Sequence, residues 1–227
     1  MSSEPAARQK YSTPTASSED IIGAARFWPG CGWLKDRIGN VYSQAGEDGI
    51  VNGIFSKIGT PRHRNEWAME VGAYDGITYS NTRQLLNRGW DVVYVECDDE
   101  SFADLKDNTK DYPTAYCFHE VLEPSGRQSI DGILARAGAP EELDLLSLDI
   151  DGGEGWVWDG IREYRFAVVI CEIFHAASTL NLVHSVALAK GYSMVACTPY
   201  NAICVANEYM DSLLDTTDYS AQLRGIA

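Results

Sequence analysis

From residue 67 onward the chain alternates short apolar runs with amphipathic stretches, and this restricts it to a layered α/β architecture. Apolar runs at 67–72, 91–97, 114–118, 143–150 and 166–172 read as strands. Helical periods separate them. One opens at Ser80 or Asn81 and closes at Gly89, and others cover 99–108, 154–164 and 178–190. The clearest covers 129–137, with Ile130, Ile133, Leu134 and Ala137 spaced i, i+3, i+4, i+7. Two last strands, 192–197 and 202–206, are joined by the turn Thr198-Pro199-Tyr200-Asn201. Near-continuous apolar strands between amphipathic helices predict a mostly parallel sheet covered on both faces. The terminal hairpin places one antiparallel strand inside that sheet or at its edge.

The region before residue 67 is less regular. Residues 1–20 are rich in Ser, Thr, Pro and Ala without an apolar period, and read as a flexible tail. Residues 21–62 read as an N-terminal arm and helix. Phe27, Trp28, Trp33 and Tyr42 sit among glycines at 21–42, and Ile50, Val51, Ile54, Phe55 and Ile58 give helical spacing over 47–58. Residues 63–227 form the α/β domain, so the whole is one domain with an arm. The 227 residues carry 18 basic and 33 acidic side chains, a formal charge of −15, which argues against gripping a phosphate backbone and so against a nucleic-acid partner. No run is long and apolar enough to span a bilayer. The six cysteines are scattered, without a C-x-x-C pair, and read as reduced thiols of a cytoplasmic protein. The arm aromatics either pack on the core or mediate a homodimer.

In an open α/β sheet, ligands bind beyond the carboxyl ends of the strands. Those ends carry Glu70-Val-Gly72-Ala-Tyr-Asp75-Gly76, Glu96-Cys-Asp98, His119-Glu120, Asp149-Ile-Asp151-Gly152-Gly153 and Glu172-Ile-Phe-His175. Each acid taken singly could cap the following helix, but five acidic ends together favour a ligand site. The first turn lacks the G-x-G-x-x-G spacing of a dinucleotide loop. Glu96 follows Gly76 by 20 positions, the placement of a carboxylate that accepts hydrogen bonds from ribose hydroxyls. With the terminal hairpin, the pair points to S-adenosylmethionine rather than NAD.

Tyr42-Ser-Gln-Ala-Gly-Glu-Asp48, Glu70-Val-Gly-Ala-Tyr-Asp-Gly76, Ser80-Asn-Thr82, Glu96-Cys-Asp98, Ser147-Leu-Asp-Ile-Asp-Gly152 and Val169-Ile-Cys-Glu172 together resemble the FkbM-like branch of class I S-adenosylmethionine-dependent methyltransferases, over residues 41–206. The resemblance implies a Rossmann-like, seven-stranded, mostly parallel sheet with a C-terminal antiparallel hairpin. It implies cofactor bound over the first two strands and methyl transfer to a hydroxyl, less readily an amine, of a small-molecule, sugar or natural-product acceptor. Among the motif residues it places Glu70 and Asn81 in the cofactor set. Gly72 and Asp75 would line the methionine and ribose side. Glu96 would hold the ribose, Asp98 would lie by the adenine edge, and His119 and Glu120 would approach the adenine. Ser43 and Gln44 would reach the methionine carboxylate, and Asp149 would sit beside the sulfonium and the acceptor. Two positions depart from the family. Tyr74 stands where many such enzymes have a small residue, and Asp151 shortens the usual Asp-x-Glu-Gly.

The shortened pair raises a metal site. Asp149, Asp151 and Glu172 could converge on Mg²⁺, whose hard oxygen ligands they resemble; alternatively the two aspartates contact cofactor and cap the next helix. The acceptor proton would go to Asp149 or His175, or be made labile by the metal; His175 reads more readily as structural than as the base, and less readily as a ligand. Two other functions fit the pattern less well. One is a nucleoside-binding scaffold without methyl transfer, and the other a nucleotide-sugar transferase holding metal on Asp149-Ile-Asp151.

Overall fold

The computed structural model describes residues 24–59, 65–173 and 177–215. Eight strands form one sheet: β1 (Arg26–Phe27), β2 (Trp67–Val71), β3 (Asp91–Glu96), β4 (Ala115–His119), β5 (Glu142–Leu148), β6 (Arg165–Glu172), β7 (Tyr192–Cys197) and β8 (Asn201–Ala206). Their order is β1-β7-β8-β6-β5-β2-β3-β4. The pairs β2–β3, β3–β4, β2–β5 and β5–β6 are parallel. β8 lies between β6 and β7 and runs antiparallel to both. The seven expected strands are all present. The eighth, β1, comes from the arm, where two residues pair antiparallel with the otherwise open edge of β7.

Seven helices are labelled in chain order: α1 (Glu47–Ile58), α2 (Arg83–Leu86), α3 (Asp99–Thr109), α4 (Ile130–Ala137), α5 (Glu154–Gly160), α6 (Ala177–Ala189) and α7 (Met210–Leu213). Alternate strand residues face opposite sides. Met69, Val71, Leu146 and Leu148 pack with Ile133 of α4, Trp158 of α5 and Val183 of α6. On the other side, Ala68, Val92 and Leu145 pack with Ile50 and Ile54 of α1, Leu105 of α3 and Leu34 of the arm. Burying each Leu or Ile side chain contributes about 1.5–3 kcal/mol, so two such layers sustain the fold without disulfides. All six cysteines are free.

Three elements differ from the expectation by more than a single residue, each for a local reason. The helix expected from residue 80 begins only at Arg83, because the side chains and backbone at 80–82 are drawn to Glu70. β5 stops at Leu148, and the chain turns through Asp151, Gly152 and Gly153, which have φ of 57°, 127° and 101°. α5 ends at Gly160, since Ile161 is already extended toward β6. Trp156 and Trp158 point to opposite environments, the first 69% exposed and the second 1%.

The arm is stitched to the end of the chain. Trp33 Nε1 and Lys57 Nζ both donate to the Leu213 carbonyl, and Asp215 N donates to Gly30 O. Lys57 Nζ also lies 4.0 Å from the Trp33 ring centre, a cation–π contact. Among the described residues, no helix is long and apolar enough to cross a membrane.

Candidate cofactor and acceptor site

A cleft of about 500 Å³ opens at the carboxyl ends of β2, β3, β4 and β5. Gly72, Tyr74, Glu96, Glu120, Asp149 and Asp151 form its polar wall, and Val71, Val95, Val121, Leu122, Ile150 and Val157 its apolar wall. Among the described residues, no basic side chain lines it.

The β2 turn sets the floor. Gly72 has φ +74°, and a Cβ built there would stand 1.6 Å from the Asp149 carbonyl oxygen. Only glycine allows this approach, which is locked by Asp149 N donating to Val71 O at 3.1 Å. Tyr74 follows in the left-handed region at φ 49°, a costly conformation for a bulky side chain. Glu96 holds that conformation in place. Its Oε2 accepts from Tyr74 N at 2.7 Å, and its Oε1 accepts from Cys97 N and Asp98 N at 2.7 and 2.8 Å. An ionised carboxylate offers about four acceptor positions, so Oε2 keeps capacity for a ligand hydroxyl.

Other candidates spend their oxygens inside the protein. Glu70 is buried, its Oε2 accepting from Ser80 Oγ and Thr82 Oγ1, both at 2.6 Å, and its Oε1 from Asn81 N at 2.7 Å. Asn81 Nδ2 donates to Ser147 Oγ, while its Oδ1 is buried without a partner. Asp75 accepts from Ile77 N, Thr78 N and Thr78 Oγ1. Asp98 caps α3 by accepting from Ser101 N and Oγ. His119 stacks on Phe102 at 4.5 Å, with its Nε2 3.2 Å from Cys97 O. Glu120 is gripped by Arg136 through two bonds of 2.6 and 2.7 Å, which hold its carboxyl below the usual range. Ser43 and Asp48 cap one another at the start of α1: Asp48 N donates to Ser43 Oγ, and Ser43 N to Asp48 Oδ2. The Gln44 carbonyl accepts from Asn40 Nδ2. Of the eleven proposed cofactor contacts, the cleft wall therefore brings together Gly72, Glu96, Glu120 and Asp149. Ser43, Gln44, Glu70, Asp75, Asn81, Asp98 and His119 stand outside that wall.

Burial raises the Glu70 carboxyl from 4.5 to about 7, against the lowering effect of its hydroxyl and amide donors. A folded value above the ordinary one favours the fold while the group is protonated. That contribution is complete below pH 4.5 and is lost as pH rises through about 7. Glu70→Gln should keep the contacts, since its amide oxygen can face Asn81 N and its amide nitrogen the two hydroxyls. Urea unfolding from pH 5 to 7.5 is expected to show wild type losing about 2 kcal/mol more than the variant. Parallel curves for the two proteins would contradict the assignment.

At the far end of the cleft, the carboxylates of Asp149, Asp151 and Glu172 lie within 4.8 Å of one another. Strand alternation alone would not bring them together, because the chain leaves β5 before Asp151; the left-handed turn at Asp151 swings its carboxylate back. Glu172 Oε2 is buried without a partner. Its carboxyl is pushed up to about 8, first by burial and then by the charge of Asp149. Asp149 is raised as well, by lost hydration and by Asp151 and Glu154, while its hydrogen bond with Glu172 opposes the rise. Near neutral pH, Asp149 and Glu172 thus share a proton. Glu154 supports the turn from behind, its Oε1 accepting from Ile150 N and Gly152 N. His175 lies outside the described residues.

The apolar wall escaped the sequence reading, which followed acids. Its only sequence signal is position: Val121 and Leu122 come directly after the end of β4, and Val157 lies in the first turns of α5.

An open α/β sheet with its cleft at the carboxyl ends of the central strands, and with β8 inserted antiparallel between β6 and β7, defines a Rossmann-like fold. No family model matches the chain, and no curated protein matches its sequence. Solved structures do. The METTL16 MTase domain aligns over 84% of this chain and 81% of its own length, with 12% identity and a TM-score of 0.51. A second crystal form of that domain covers 78% and 77%, with 13% identity and a TM-score of 0.50. Precorrin-6y C5,15-methyltransferase from Geobacter metallireducens GS-15 covers 78% of this chain and 98% of its own, with 13% identity and a TM-score of 0.49. The two alignments with the METTL16 domain show, in particular, that the chain has a methyltransferase-like fold.

Proposed function

We propose that the chain is an S-adenosylmethionine-dependent methyltransferase of the FkbM-like kind, acting on a hydroxyl, or less readily an amine, of a small-molecule or sugar acceptor. The observation that carries this reading is Glu96, at the end of β3, presenting unused acceptor capacity to a cleft floored by Gly72. The cleft has the volume of a nucleoside-cofactor site. Its acidic wall, without a basic side chain, suits a cationic sulfonium and disfavours a pyrophosphate. The same charge pattern supports a neutral or cationic acceptor over an anionic one. Glu96 would hold the ribose, and Val121, Leu122 and Val157 would enclose the base. The bound cofactor supplies a methyl group on sulfur. Asp149 takes the proton released by the acceptor hydroxyl, and Glu172 spreads the charge that Asp149 carries. Holding the acceptor in line with the methyl group supplies roughly 7–11 kcal/mol of the barrier reduction in well-aligned systems.

The unpartnered Glu172 Oε2 favours a second reading of the acceptor end, in which Asp149, Asp151 and Glu172 hold Mg²⁺ and the ion lowers the acceptor hydroxyl's pKa. Calorimetric titration with S-adenosylmethionine and S-adenosylhomocysteine, with and without Mg²⁺, tests both. Micromolar binding is expected. An affinity or acceptor turnover that depends on Mg²⁺, and is lost in Asp151→Asn, supports the metal. Absence of binding in every condition would remove the methyltransferase reading and favour a scaffold or a nucleotide-sugar transferase.

A further inference from the structure

The opposite end of the sheet carries a second cavity with the reverse charge pattern. About 260 Å³ in volume, it lies at the amino end of β6, and Arg162, Arg165 and Lys190 line it together with Tyr164 and Tyr192. Lys190 Nζ and Arg162 Nη1 both donate to one oxygen, the Ile161 carbonyl, at 2.7 and 3.2 Å. Neither has a carboxylate ion-pair partner among the described residues; the remaining bond of Arg162 goes to the Asp159 carbonyl. Arg165 donates from Nη1 to the Lys190 carbonyl at 3.2 Å and from Nε and Nη2 to Glu208, both at 2.7 Å. Its guanidinium lies 4.7 Å from the Tyr192 ring centre.

Acids outnumber bases 33 to 18 in this chain, yet two cations here converge on a single neutral acceptor. The nearby carboxylates make other contacts: Asp131 accepts from Arg162 N and Glu163 N, Glu208 is taken by Arg165, and Asp131 and Asp159 reach Lys190 through their charge without an ion pair. Glu163 is the one acid lining the cavity. Lys190 titrates below the ordinary lysine value, through burial first and then the charge of Arg162. Converged cations with no carboxylate in contact are suited to an anion.

We propose that this cavity binds a small phosphate-bearing anion, held by Lys190 Nζ and the Arg162 guanidinium, with Arg165 and the tyrosines as its wall. The ligand is either free phosphate or an aromatic phosphate monoester. It is remote from the cofactor cleft, because β6 begins here with Arg165 and ends there with Glu172.

The test uses the full chain at low ionic strength. Inorganic phosphate and phenyl phosphate are titrated by calorimetry, with chloride matched for ionic strength and phenol as controls. Arg162→Gln and Lys190→Gln remove the charges but keep a donor for the Ile161 carbonyl, so a purely structural clamp would survive. Phosphate is expected to bind the wild type and to bind each variant about tenfold more weakly. Equal affinity for the two phosphates identifies the free anion, and tighter phenyl phosphate with silent phenol identifies the aromatic ester. Phosphate acting no differently from chloride, or binding the variants as tightly as the wild type, overturns the proposal.

Discussion

Gly72→Ala is expected to lose about 4 kcal/mol of folding stability and all detectable cofactor binding. The new Cβ would stand 1.6 Å from the Asp149 carbonyl oxygen, and both atoms belong to backbone that cannot step aside. Relief requires separating the β2 turn from the end of β5, and that separation removes the floor of the cleft. Gly138→Ala is the matched control. Its φ of +72° is nearly the same, but nothing lies within 4 Å of the added Cβ. It should cost only about 1–2 kcal/mol, the price of a left-handed alanine, and leave binding intact. Urea unfolding of both variants separates crowding from backbone strain. Equal losses would show that the turn and Asp149 do not approach as described.

Glu96→Ala is expected to weaken S-adenosylmethionine at least about a hundredfold, with a stability loss of about 1–3 kcal/mol. Two effects combine. The ligand loses its carboxylate, and the amides of Tyr74, Cys97 and Asp98 lose their acceptor. The Tyr74 turn then has nothing to hold its left-handed conformation. Glu96→Gln separates the two. An amide oxygen directed at Cys97 N and Asp98 N keeps that half of the turn, while its NH₂ faces Tyr74 N and the ligand. With its NH₂ set against the Tyr74 N–H, the glutamine variant should keep two of the three amide bonds, lose less stability than the alanine variant and still lose about tenfold in affinity. Calorimetry and unfolding on the same preparations give both quantities. A glutamine variant that binds as wild type would mean that Glu96 serves the turn alone.

The layered fold was legible because burial imposes a period. The helix at Glu47–Ile58 and the strand at Tyr192–Cys197 have the bounds that apolar spacing assigns. Two residues of the arm could join the sheet without any such period, since an open edge at β7 needs only backbone. The site was legible to the level of which acids stand at strand ends. What each carboxylate does with its oxygens was not. Glu70, Asp75 and Asp98 look like Glu96 in sequence, but their acceptors face neighbouring amides and hydroxyls. The convergence of Asp149, Asp151 and Glu172 depends on a φ of 57° at Asp151, which no spacing rule foretells. Arg162, Arg165 and Lys190 escaped for a different reason. They become neighbours only where β6 begins and α6 ends.

The insertion of β8 between β6 and β7 carries a consequence for how the molecule is made. The last strand of the described residues is an interior strand, paired along its length on both sides. Until Ala206 emerges, β6 and β7 present bare, apolar edges toward each other, with Val168, Val169 and Ile170 on one and Met194, Val195 and Ala196 on the other. A chain released before residue 201 keeps two adhesive edges that no other described strand covers, and it meets other chains in that state. Completion of the sheet thus waits for the last of the described strands. A few residues further on, Leu213 and Asp215 meet Trp33 and Gly30, so the stretch that follows β8 also ties the arm to the body.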